Sequence, residues 1–229
     1  MSSRVHSLTE RWRSLGIYVH GEVDPLENPE LLLADTCERY EEDGRLLGFA
    51  ATWLSMFHPL VIIRKIRLRT DKARGVFAAL LTEALADPKR FHKWFSQRRL
   101  GHEEPVYANL SETETEWARH HPNASFRKYG LLLAQSPRSS LIRPKILYPV
   151  GRVLEESAIL RMRALYGASI RSDLVAVLPR LGPISLHGLA QRLGVAHPSI
   201  FPMIQELARW KQVQRVQSDD RFGRLVWIG

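Results

Sequence analysis

The sequence predicts a mainly α-helical protein, with a helical N-terminal domain over residues 1–150 and a C-terminal module of three helices and a β-hairpin over 151–229, led by a linker helix. Three observations predict it. Apolar residues recur at helical spacing through most of the 229-residue chain. Prolines, glycines and capping residues bracket those runs. Only the closing stretch, VQRVQS, DDRFG and RLVWIG, has the form of two short strands around a loop that holds Gly223.

Taken in order, Asn28 followed by Pro29 starts a helix that runs through PELLLADTCERYEED to Gly44. LLGFAATWLSMFH is apolar almost all round, which predicts a helix in the centre of the first domain, stopped at His58-Pro59. LVIIRKIRLR mixes β-branched alternation with helical flanks and is read as helix. GVFAALLTEALAD and PKRFHKWFSQRRL are two further helices, divided at Pro88. Ser111 with Glu114 forms a capping box for a helix toward His120, stopped by Pro122. The stretch from Asn123 to Pro149 holds Gly130, Pro137, Pro144 and Pro149, so it reads as an irregular connection with one strand around GLLLA, and as the domain boundary. EESAILRMRALYG is an amphipathic helix closed by Gly167, and Ser169 with Asp173 caps IRSDLVAVLPRL.

In the C-terminal module, Ser185 is the N-cap of LHGLAQRL, whose Leu186, Leu189, Ala190 and Leu193 share one face. Gly194 supplies a left-handed turn residue, and Val195 turns into the core. His197 or Ala196 caps the next helix, assigned to 197–211, where Pro198 falls at the first helical position and its missing N–H does no harm. Pro202 is less favourable: it removes the bond to the Pro198 carbonyl, which predicts a distorted turn. Ile200, Met203, Ile204 and Leu207 form the inward face.

This succession, with its small Ala190, turn Gly194 and loop SDDRFGRLVW, resembles the winged helix-turn-helix family of bacterial transcription regulators over Ser169 to Gly229. The resemblance implies that the helix 197–211 enters the major groove of duplex DNA, while the basic wing 213–229 meets the backbone or minor groove. His197, Ser199, Phe201, Gln205 and Arg209 would then face DNA. Gln205 would read adenine, Arg209 guanine or phosphate, and Phe201 a thymine methyl. Arg215, Arg221 and Arg224 would meet phosphates or a narrow minor groove. The sequence departs from that pattern at Phe201 and Pro202, at the helix end Trp210-Lys211-Gln212, and at Asp219 and Asp220 beside the wing tip. Regulators with one reading helix usually pair, and EESAILRMRALYG with Tyr148 and Tyr166 is a candidate homodimer seam. The rival reading is an adaptor that docks a protein partner on Phe201, Pro202 and Trp210. Residues 1–150 resemble no known family and are expected to be a scaffold, sensor or oligomerisation domain.

Charge agrees with a polyanion partner. The chain is +9 overall, yet residues 1–45 hold five Arg against ten Asp or Glu, so the cationic excess lies beyond them. The densest basic run, Arg64, Lys65, Arg67, Arg69, Lys72 and Arg74, wraps around a helix and is read as solvated surface. The run from Lys89 to Arg99 is read as a core face with a charged rim. No apolar stretch is long enough to span a bilayer, and the start of the chain has no signal-peptide core, so a cytoplasmic setting without membrane contact is expected.

A lone cysteine, Cys37, allows neither an internal disulfide nor a multi-cysteine zinc site. Phosphate-loop, dinucleotide, nucleophile-elbow and zincin signatures are absent, so no catalysis, cofactor or metal is expected. His120 and His121 are read as helix-end residues, and Glu112, Glu114 and Glu116 as first-turn acids favoured by the helix dipole.

Overall fold

The structure, a computed structural model, describes residues 7–85, 103–108, 111–134, 140–216 and 224–228. Local chemistry sets many of the helix starts. At α1 (Leu8–Ser14), Ser7 and Glu10 close a reciprocal capping box. At α2 (Pro29–Arg39), the Asn28 side chain accepts from the Glu30 and Leu31 N–H groups, with Pro29 in the first turn. This helix stops at Arg39, short of Gly44, and a 3-10 turn over Tyr40–Glu42 takes up most of the remainder. Helix α3 (Leu46–Phe57) is buried nearly all round, with Trp53 and Leu54 fully enclosed, as its continuous apolar sequence predicts. Thr70 caps α4 (Asp71–Ala84).

Between α3 and α4 the helical expectation for LVIIRKIRLR fails. Residues 61–70 form a strap of irregular backbone whose regular structure is a 3-10 turn at Ile63–Lys65. Tertiary bonds override local preference here: the Ile62 N–H donates to the Glu30 carboxylate at 2.7 Å, and the Lys65 side chain turns into the interior.

Ser111 and Glu114 close the predicted capping box at α5 (Glu112–His120), and α6 (Ala124–Arg127) follows. The strand expected in GLLLA is β2 (Leu131–Leu132), paired in parallel with β1 (Glu104–Pro105). The helix expected over PKRFHKWFSQRRL lies outside the described residues.

EESAILRMRALYG is divided. Helix α7 (Val150–Glu156) ends at Ser157, whose hydroxyl then accepts from the Leu160 N–H to cap α8 (Ala158–Tyr166). Ser157 is extended, and the next N–H, that of Ala158, bonds to the Pro25 carbonyl at 2.9 Å, so a contact distant in sequence breaks the run. Ser169 and Ser172 box the start of α9 (Ile170–Val177). The chain continues through α10 (Leu186–Leu193), α11 (His197–Arg209) and the antiparallel strands β3 (Val213–Val216) and β4 (Arg224–Trp227).

The protein is thus mainly helical. Among the described residues, most of the buried apolar side chains fall into two clusters. One gathers α1 to α4 with Val106, Phe126 and Leu131, and reaches Val153 and Leu160. The other gathers α9, α10, α11 and the hairpin around Leu174, Leu189 and Ile200, and recruits Leu26 from the first forty residues. Among the described residues no helix is long and apolar enough to cross a membrane.

Candidate nucleic-acid interface

Helix α10 starts where the Ser185 hydroxyl accepts from the Gly188 N–H at 3.0 Å, and it buries Leu189, Ala190 and Leu193. Gly194 then takes φ +65°, the left-handed conformation its sequence position predicts, and directs Val195 back against the cluster. Ala196, not His197, is the N-cap of α11, and no side chain caps that helix. Ile200, Ile204 and Leu207 are buried, with Met203 half-buried beside them. The helix runs through Pro202 without a break; Pro202 has no N–H to give to the carbonyl of Pro198, and both prolines are exposed.

The helix ends at Arg209, two residues short of the expected 211. Its close is a Schellman motif: the Gln212 N–H bonds to the Leu207 carbonyl at 2.9 Å and the Lys211 N–H to that of Ala208 at 3.1 Å. Lys211 occupies the left-handed position normally given to glycine, at φ +57°. That motif delivers the chain into β3, which pairs with β4 from Val213 opposite Trp227 to Val216 opposite Arg224. Ile184, in the link before α10, exchanges both backbone hydrogen bonds with Leu225, at 3.1 and 2.8 Å. The hairpin is therefore held against the helix pair by a third extended segment.

The predicted contact residues come together on the outer side of this arrangement. His197, Ser199, Phe201, Gln205 and Arg209 are all exposed, and the His197 and Phe201 rings stack with centroids 6.3 Å apart. Arg224 is exposed on β4. Arg215 lies in β3, but its side chain and all of Arg221, Asp219 and Asp220 lie outside the described residues.

Behind this face lies a feature with no signature in the sequence. Glu30, Lys65, Arg163 and Asp173 form a buried ionic cluster between the two apolar clusters, each at most 3% exposed. Arg163 grips both acids in bidentate fashion: Nη1 and Nη2 reach Glu30 at 2.6 and 2.8 Å, while Nε and Nη2 reach Asp173 at 2.7 and 2.8 Å. Lys65 Nζ lies 2.9 Å from Asp173 and 3.3 Å from Glu30. Two carboxylates and two cations leave the cluster neutral. Burial alone would raise the Glu30 pKa, but the charges and hydrogen bonds of Arg163, with Lys65 and the Ile62 N–H, hold it below the ordinary glutamate value. Two expectations are corrected here: Lys65 is an interior ion, not part of a solvated run, and Asp173 serves this cluster while Ser169 and Ser172 cap α9. No local pattern distinguishes these four residues from surface ions; only their convergence from α2, the strap, α8 and α9 does.

The same elements fix the helix pair to the first half of the chain. The Asn28 side chain that caps α2 also donates to the Arg192 carbonyl at 3.4 Å, Arg192 pairs with Asp24 at 2.7 Å, and Leu31 packs beside Gly194. Among the described residues no group of His, Cys, Asp and Glu is placed to hold a metal ion. No protein-family model, curated protein or solved structure matches the chain.

Proposed function

We propose that the chain is a DNA-binding transcriptional regulator whose C-terminal segment acts as a winged helix-turn-helix, with α11 in the major groove and the β3–β4 hairpin as the wing. The observation that supports it above all is the division of α11: Ile200, Ile204 and Leu207 are buried, while His197, Ser199, Phe201, Gln205 and Arg209 are exposed along its length. A rigid rod with a free polar and aromatic face is what base reading requires. The backbone bonds between Ile184 and Leu225 favour the winged form, because they fix the hairpin beside the rod. Under this reading residues 1–150 are a scaffold, sensor or oligomerisation domain in a cytoplasmic bacterial protein. Homodimerisation is part of the proposal; Leu165 and Tyr166, 65% and 72% exposed at the end of α8, are the apolar surface for it.

A second reading, a protein-docking adaptor, is favoured by exposed Phe201 and by Trp210, 64% exposed. Salt separates the two. Capture of genomic fragments by the purified protein, followed by titration of a bound duplex at several ionic strengths, is expected to give a log-log slope of about −0.9 per phosphate contacted. Failure to retain any duplex at low salt refutes the regulator reading.

A further inference from the structure

We propose that Arg64 and Arg67, on the strap between α3 and α4, bind the phosphate backbone of the same duplex that α11 reads, so that the nucleic-acid surface spans both halves of the chain; this rests on the DNA-binding reading above. A cleft of about 410 Å³ lies between the strap and α11, with Arg64 and Arg67 on one wall and Ala196, Ser199 and Met203 on the other. Ser199 is shared: it lines the cleft and is one of the exposed residues of α11.

Charge in the cleft is one-sided, since no acidic side chain lines it among the described residues. Of the other described arginines of the first half, Arg11, Arg13, Arg39, Arg45 and Arg74 each pair with a carboxylate, while Arg69, farther along the strap, does not line the cleft. Arg64 and Arg67 are exposed and have no ion pair among the described residues. Two such guanidiniums beside a candidate reading helix are suited to backbone phosphates, which position a protein on DNA without selecting sequence.

The strap also holds them in place. Lys65, between the two, is locked to Asp173 and Glu30, and the Ile62 N–H is bonded to Glu30 at 2.7 Å. One cation of the run thus serves inside as an anchor, and its neighbours are left outside on a fixed backbone. A small-anion pocket would need enclosed donors, whereas both guanidiniums here are solvent-facing, which favours an extended polyanion.

The test is fluorescence anisotropy with the full chain and a labelled mixed-sequence duplex, across a salt series, comparing wild type with R64A/R67A, R64Q/R67Q, R64K/R67K and Q205A. The alanine and glutamine pairs are expected to weaken binding equally on all sequences and to flatten the log-log salt slope by about 1 for each phosphate no longer neutralised. The lysine pair is expected to retain most of the slope, because phosphate responds to charge. Q205A is expected to alter sequence preference and leave the slope in place. An unchanged urea midpoint verifies that the variants fold; the glutamine pair, which keeps side-chain bulk, repeats the test should the alanine pair unfold. Wild-type affinity and slope in the neutral pairs overturn this inference and leave the α11 reading intact. Absence of duplex binding by wild type overturns both. Loss of inorganic phosphate binding with duplex affinity unchanged marks a small-anion site and also overturns it.

Discussion

Arg163 holds Glu30 through two hydrogen bonds, 2.6 and 2.8 Å long, across 133 positions of sequence. The same guanidinium holds Asp173, so one side chain of α8 joins α2 to α9 at the seam between the two apolar clusters. Substituting Glu30 by glutamine leaves a buried cation half-compensated. E30Q is expected to lower the unfolding free energy by about 3–5 kcal/mol at neutral pH, read by urea denaturation. Because the folded state holds the Glu30 pKa below its ordinary value, its contribution is complete above that value and is lost as pH falls through the folded one. The gap between wild type and E30Q is therefore expected to narrow on acidification; a gap independent of pH would refute the assignment.

Gly194 and Lys211 test one backbone conformation with opposite signs. Gly194 is at φ +65°, and a Cβ there would meet Leu31 at 3.0 Å, so G194A is expected to destabilise by about 1–2 kcal/mol. Lys211 is at φ +57° in the Schellman close of α11, where glycine has no steric penalty, so K211G is expected to stabilise by roughly 1 kcal/mol. Thermal unfolding of both variants checks the pair of signs.

Pro202 sits inside α11 with an exposed ring. P202A restores an N–H that can bond to the Pro198 carbonyl and is expected to raise stability by about 1–3 kcal/mol. A fall in the urea midpoint would mean that the proline supports a contact beyond the helix.

Gln205 and Arg209 lie four residues apart on the exposed side of α11. On a selected duplex, Q205A is expected to cost about 1–3 kcal/mol of discrimination against the wrong base. R209A is expected either to relax specificity at one base or to weaken all sequences alike, and affinity profiling of single-base variants decides between guanine and phosphate contact.

Much of the local structure is legible in the sequence, because helix starts are written in few residues. Asn28, Ser111, Ser169 and Ser185 each cap the helix expected after them, and Gly194 adopts the turn conformation its position requires. What local rules miss depends on distant partners. The strap 61–70 abandons its helical pattern because Glu30 and Asp173 draw Ile62 and Lys65 inward. The helix around Ser157 divides where the Pro25 carbonyl captures the following N–H. For the candidate site, the exposed row on α11 follows from its periodicity, whereas the approach of Arg64 and Arg67 to Ser199 needs the packing of two chain segments more than a hundred residues apart.

The place of Asp173 bears on how this protein could be taken apart or borrowed from. Residues 169–229 grafted onto a foreign carrier would bring a stranded interior carboxylate, and an open hydrophobic socket where Leu26 had been seated. Such a cartridge would need neighbours rebuilt at both points before it could stand by itself.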